Sequence, residues 1–322
     1  MSTLKVINVQ NPASSFVNMV TGPDGSVSFG QVPVAPNSFQ RNRLINPAMQ
    51  IAQRGTTATL VANATAITYP TVDRWYAYCT GANVAMAQIA GVQPDRNTVQ
   101  FTGAASVGTI GFGQRIESLN SYDMAGQICT LSCKISNNTL ATVTWTAYYA
   151  STLDTFGSLS VPTRVQFATG TFSVDTSYRS FNAQITIPTA ATTGIEVVFT
   201  VAGQTSGTWL IGNVQFETGA VATAFERRLY PQELALCQRY YQIFPIGLDF
   251  TAAGAGYVLA AQVNYPVLMR ANPNLAASGT PQTINSTLSF NGPSVYGPQP
   301  QLTATAIGRA YYYSLYVASA EL

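Results

Sequence analysis

Histidine is absent from these 322 residues, and charge is scarce. Without histidine the Ser-His-Asp and Cys-His arrangements and the histidine-based metal sites are excluded. Charged residues make up 9% of the chain, where about 25% is usual. A net charge of +2 with no run of like charge leaves no concentrated basic patch, so no nucleic-acid partner is expected. No window approaches the roughly 18 apolar residues of a membrane helix, so no membrane insertion is expected. The N-terminus MSTLKVINVQ has neither the basic start nor the apolar core of a signal peptide. These absences imply a soluble chain made in a cytoplasm.

Cysteine is also sparse: Cys79, Cys129, Cys133 and Cys237. Cys129 and Cys133 lie in ICTLSCKI, which alternates like a strand and sets them about 13 Å apart, too far for a disulfide. Four free, buried thiols are expected, with no metal and no cofactor. No phosphate-binding loop is present. The acids Asp73, Asp95, Glu117, Asp123, Asp154 and Asp175 are scattered, so no carboxylate pair for glycoside hydrolysis stands out. No catalytic residue is assigned, and the chain is expected not to be an enzyme.

What the chain does have is apolar content (47%) and aromatics (11%), enough to bury one or two cores. Period two dominates. ATVTWTAYYA (141–150), TRVQFATGTFSV (163–174), RSFNAQITIP (179–188), GIEVVFTVAG (194–203) and GTWLIGNVQFE (207–217) alternate or run β-branched between turn residues. Short, evenly spaced strands predict an all-β jelly-roll sandwich over residues 43–228. Residues 1–42 are Pro-rich, with room for one hairpin, and read as an extended arm. Residues 245–322 contain only Asp249, Arg270, Arg309 and Glu321 as ionisable groups and end in RAYYYSLYVA. They read as a smaller β-module, with Tyr311, Tyr313, Leu315 and Val317 on one strand face.

Between them, residues 229–244 read as a connector helix within FERRLYPQELALCQRYY. Pro231 suits a first turn, and Glu233 and Arg239 suit the two ends of the dipole. Tyr230, Leu234, Cys237 and Tyr241 form one apolar stripe, with the charges facing water. Arg227, Arg228, Leu234, Cys237 and Tyr241 are the expected contacts at the junction or across an oligomer axis. Arg54, Asp73, Arg74, Arg115 and Glu117 are expected to pair among themselves.

Three aromatic groups are candidates for stacking on sugar rings: Trp75, Tyr76 and Tyr78; Trp145, Tyr148 and Tyr149; and Trp209. Core packing is the alternative for each.

RLINPAMQIAQRG (43–55), VDRW (72–75), FGQRIES (112–118), VQFETGAVATAFERRLYPQELALCQRYYQIF (214–244) and PVLMRANP (266–273) together resemble a family of bacteriophage and prophage tail-fibre proteins. The resemblance covers roughly residues 43–273; from about 120 to 210 only the strand rhythm matches. It implies a domain similar to the jelly rolls of carbohydrate-binding modules, in a virion tail component synthesised in the host cytoplasm. Its implied partners are two further copies in a homotrimer, tail or baseplate proteins held by the N-terminal arm, and host-surface polysaccharide. Such modules often hold a structural calcium through acids in the first segment and last strand. Here Asn46 to Gln50 and Asn213 put amides in those places, which disfavours the ion. Besides glycan recognition, two roles stay open: a purely structural virion connector or decoration protein, and a polysaccharide depolymerase.

Overall fold

The computed structural model describes residues 40–322 and, upstream, the backbone of three short strands. Those strands, β1 (Asn8–Gln10), β2 (Val17–Thr21) and β3 (Val27–Phe29), form an antiparallel meander. The remainder of the expected arm up to residue 39 lies outside the described residues. Residues 40–42, placed in the arm by the sequence, belong to the sandwich: buried Asn42 donates to the Val214 carbonyl and accepts from Phe216 N–H.

The next strands are β4 (Thr57–Leu60), β5 (Tyr76–Thr80), β6 (Val84–Ala90), β7 (Asn97–Thr102) and β8 (Thr109–Ile116). After a one-turn helix, α1 (Ser118–Ser121), come β9 (Ile128–Asn137), β10 (Thr142–Ala150), β11 (Arg164–Ser173), β12 (Arg179–Thr186), β13 (Ile195–Ala202) and β14 (Thr208–Thr218). They form two antiparallel sheets, five strands in the order β11-β10-β13-β8-β5 and six in the order β12-β9-β14-β7-β6-β4. From β7 to β14 the chain crosses repeatedly between the sheets, as a jelly roll requires. Alternation fills the space between them: Ile110, Phe112, Val197 and Phe199 from one sheet meet Phe101, Leu131, Ile135, Ile211 and Phe216 from the other.

Helix α2 (Tyr230–Gln238) comes next, with Pro231 in its first turn. Then come β15 (Tyr241–Ala252), β16 (Val258–Ala260), β17 (Asn274–Ile284), β18 (Ser286–Phe290), β19 (Pro300–Ala304) and β20 (Gly308–Ser319). These make two three-stranded sheets, β15-β20-β17 and β16-β19-β18, around Phe244, Ile246, Leu302, Tyr312 and Tyr316. The strand begins at Tyr241, so the connector is shorter than the 229–244 read from sequence.

The helix is rotated from the sequence reading. Its buried face is Glu233, Cys237 and, just beyond it, Tyr240. Tyr230, expected on the apolar stripe, is half exposed, and Glu233, expected in water, is 5% exposed. The polar N–H of Asn46 accounts for this: it donates to Glu233 Oε1 at 2.5 Å, so the carboxylate turns inward and carries the stripe with it.

Candidate functional site

Every described carboxylate except Asp154 lies within 4.0 Å of an Arg or Lys nitrogen, and Asp154 accepts from Ser118 N–H. The few charges are thus spent on internal pairs. One set binds the jelly roll to helix α2 and the C-terminal strands. Arg54 joins Asp73 (3.4 Å) to Glu321 (2.8 Å), and Arg74 also pairs with Glu321. The Arg74 and Arg54 guanidinium groups lie 3.5 and 3.6 Å over the Tyr240 and Tyr241 rings. Arg239 donates to Glu117 at 3.0 Å. Arg228 donates to the Leu44 and Asn42 carbonyls. Leu234 packs beside buried Cys237, whereas Arg227 turns back to Asp95 at 2.6 Å. The pairing expected among Arg54, Asp73, Arg74, Arg115 and Glu117 is real only for Arg54 with Asp73; the other partners are Glu196, Glu321, Arg239 and Arg270, far off in sequence.

The amides at the would-be calcium positions do other work. Asn46 Oδ1 accepts from Gln50 and Ile51 N–H, and its Nδ2 donates to the Ile51 and Asp73 carbonyls. Asn213 Nδ2 donates to Asp95. The Asn46 oxygen, committed this way, does not fit a calcium ion, the Asn213 Oδ1 is buried without a hydrogen-bond partner, and no cluster of three acidic or cysteine ligands occurs among the described residues. All four cysteines are free and buried. Burial raises their thiols, that of Cys129 to about 12, which keeps them unreactive.

The surface with recognition chemistry is the outer face of the five-stranded sheet. In β13, Val197, Phe199 and Val201 enter the core, so Glu196, Val198 and Thr200 point outward. Register then aligns two rows: Tyr78, Gly111, Thr200, Thr144 and Thr171, and beside it Tyr76, Gly113, Val198, Thr146 and Thr169. A third begins with Arg115, Glu196 and Tyr148. The two glycines form a floor for the tyrosines. A Cβ at Gly111 would overlap the Tyr78 ring, and one at Gly113 would fall 2.6 Å from Tyr76 Oη. Tyr76 and Tyr78 lie parallel, 6.5 Å apart. Tyr76 is fully buried and donates to Glu196 Oε1 at 2.8 Å. Burial, with the Glu196 charge beside it, holds its hydroxyl well above the ordinary phenol range, so it stays a donor. Tyr78 and Tyr148 are half-buried, and Gln166, Thr169 and Thr171 are exposed. The face therefore offers two aromatic surfaces among neutral hydroxyl and amide groups.

The candidate aromatics divide accordingly. Trp75 stacks on Phe112 (4.7 Å) and Trp209 on Phe101 (4.8 Å), both inside the sandwich at 0% exposure. Trp145 is buried against Gly170 and Phe172, and Tyr149 packs on the core beside Phe167. The three tryptophans, buried in the sandwich, have no free ring face for a ligand, and Tyr149, partly buried, points toward the core. Only Tyr76, Tyr78 and Tyr148 share the outer face, and Tyr76 supports it from beneath. Sequence reasoning missed the threonine rows, Glu196 and Arg164. The signal was there: in TVTWTAYYA, Thr144 and Thr146 alternate with Trp145 and so share a face with Tyr148.

No protein-family model matches the chain, and no curated protein does. Among solved structures it is similar to the enzymatically active domain of tailspike protein 4 of bacteriophage CBA120, at 13% identity over 56% of this chain, with a TM-score of 0.33. It spans only 22% of that tailspike chain. It is also similar to TmCBM61, solved with β-1,4-galactotriose (10% identity, 56% of this chain and 99% of that one, TM-score 0.35), and to a CBM4 structure (14%, 54% and 98%, TM-score 0.34).

Proposed function

We propose that the chain is a non-catalytic glycan-binding component of a phage tail fibre, a homotrimer attached to other tail or baseplate proteins through residues 1–42. The observation that carries the glycan reading is the outer sheet face: the half-exposed Tyr78 and Tyr148 rings among rows of threonine hydroxyls. A pyranose presents an apolar C–H face and an equatorial rim of hydroxyls. Stacking on a tyrosine with hydrogen bonds from neutral side chains satisfies both at once. The sequence resemblance over residues 43–273 supports the tail-fibre assignment. The absence of catalysis is supported by the ion pairing of the carboxylates: every described acid but Asp154 is engaged by an arginine or lysine, which leaves no free carboxylate pair for glycoside hydrolysis.

The test is a binding titration with surface polysaccharides of candidate hosts, scored together with release of reducing ends. Saturable binding without cleavage, weakened about tenfold or more by Tyr78→Ala or Tyr148→Ala, is the expected result. Absence of binding to any host polysaccharide would remove the glycan role, and cleavage lost on replacing one acid would make the protein an enzyme.

A further inference from the structure

The outer face of the five-stranded sheet has a cation with unused donors at one end. Two arginines, Arg115 and Arg164, converge on one carboxylate, Glu196. Arg115 is used up: Nε donates to Glu196, Nη1 to the Leu322 carbonyl and Nη2 to the Gly157 carbonyl, each at 2.8 Å. Arg164 is not. Its Nη1 pairs with Glu196 Oε2, while Nε and Nη2 have no partner among the described residues, on a side chain that is 13% exposed. The guanidinium carbon lies over the Tyr148 ring, 4.3 Å from its centre, and Tyr78 lies within its electrostatic reach.

Among the described residues no other carboxylate lies within 4.0 Å of Arg164. Strands β5 and β10 carry no Asp, Glu, Lys or Arg, Asp73 and Glu321 pair with Arg54 and Arg74, and Asp154 of the neighbouring loop accepts from Ser118 N–H and Oγ. Arg164 thus presents two N–H donors in fork geometry at the edge of a stacking surface.

We infer that this face takes an acidic saccharide, with the carboxylate of a uronic-acid-type sugar on Arg164 Nε and Nη2 while an adjoining ring stacks on Tyr148 or Tyr78. The inference rests on the glycan-binding reading and specifies its ligand class. A planar carboxylate matches the two free donors. Glu196 and Tyr148 hold the fork in place beforehand, so little side-chain entropy is lost on binding. A neutral glycan meets the two donors only with hydroxyl oxygens, a weaker hydrogen bond than a carboxylate accepts.

The experiment is a glycan array in which acidic bacterial polysaccharides stand beside their carboxyl-reduced derivatives, identical in backbone and lacking only the charge. The intact protein is expected to bind at least one acidic member about tenfold or more tightly than its reduced counterpart, with an affinity that falls as salt rises. R164Q is expected to bring the acidic form down to the level of the reduced one, and Arg164→Lys to restore part of the difference. A thermal melt of each variant checks that the sandwich is intact. Equal binding of acidic and reduced forms, or a preference retained in R164Q, overturns the inference and leaves the glycan reading in place. Binding to no member overturns the glycan reading itself.

Discussion

Tyr78 and Trp209 show how differently two strand aromatics behave in one sheet sandwich. Trp209 is enclosed and stacked on Phe101. Trp209→Ala is expected to cost about 3–5 kcal/mol, visible as a large drop in the urea midpoint, with glycan affinity unchanged in whatever protein remains folded. Tyr78→Ala is expected to do the reverse, lowering the melting temperature little while weakening binding. Asp95 gives a pH test. Its buried carboxylate is pushed up by desolvation, but hydrogen bonds from Lys134, Arg227 and Asn213 outweigh this and hold it below its ordinary value of 3.8. A lowered folded-state pKa means the unfolded chain takes up the proton first. The stabilisation is therefore complete above pH 3.8 and is lost as pH falls through the folded value. Asp73 and Glu233 act oppositely: burial raises both, so the stability they contribute is present at low pH and lost as pH rises. Comparing melts of wild type and Asp95→Asn from pH 6 to 3 isolates the Asp95 contribution. The variant is expected to start lower by about 1–3 kcal/mol and to decline less steeply on acidification. Parallel curves would contradict the assignment.

At the level of elements, the strands were legible because period two needs only a local pattern. Segments read at 141–150, 163–174 and 194–203 are found as β10, β11 and β13 with ends shifted by a residue or so. Which strands become neighbours was not legible, since β10 pairs with β13 across some fifty residues, and with that went the site. Tyr78 and Tyr148 meet one another only through β8 and β13. Helix α2 illustrates a second limit. Its existence and Pro231 start are readable from the sequence, but the face it buries is set by Asn46 N–H, remote in the chain, together with nearby Arg228. A test of the docked helix is Cys237→Asp. This side chain is wholly buried, close to Asp73 and Glu233, so the new carboxylate meets desolvation and like charge together. A loss of at least about 3 kcal/mol in chemical unfolding is expected. A free connector would show almost none.

At the level of the whole molecule, low charge becomes a statement about assembly. The outer face of the β15-β20-β17 sheet aligns Ile243 with Val317 and Ala276, Pro245 with Leu315, and Gly247 with Tyr313. Ile243, Tyr313 and Leu315 are each about 40% exposed there, an apolar stripe of a kind that marks an interface. Its one charged pair, Asp249 with Arg309 at 2.6 Å, lies at one end and compensates itself. Identical faces can therefore approach one another without repulsion, which favours a further copy of the chain over a charged partner. This is where the proposed homotrimer would bury its apolar surface. Light scattering at micromolar concentration is expected to give three times the 34.3 kDa of the monomer. Leu315→Glu puts a charge from every subunit into the shared surface and is expected to shift the mass toward the monomer while leaving the jelly roll folded, because Leu315 lies outside both cores. A wild-type mass of one subunit would end the trimer proposal. A trimer indifferent to Leu315→Glu would move the interface elsewhere on the chain.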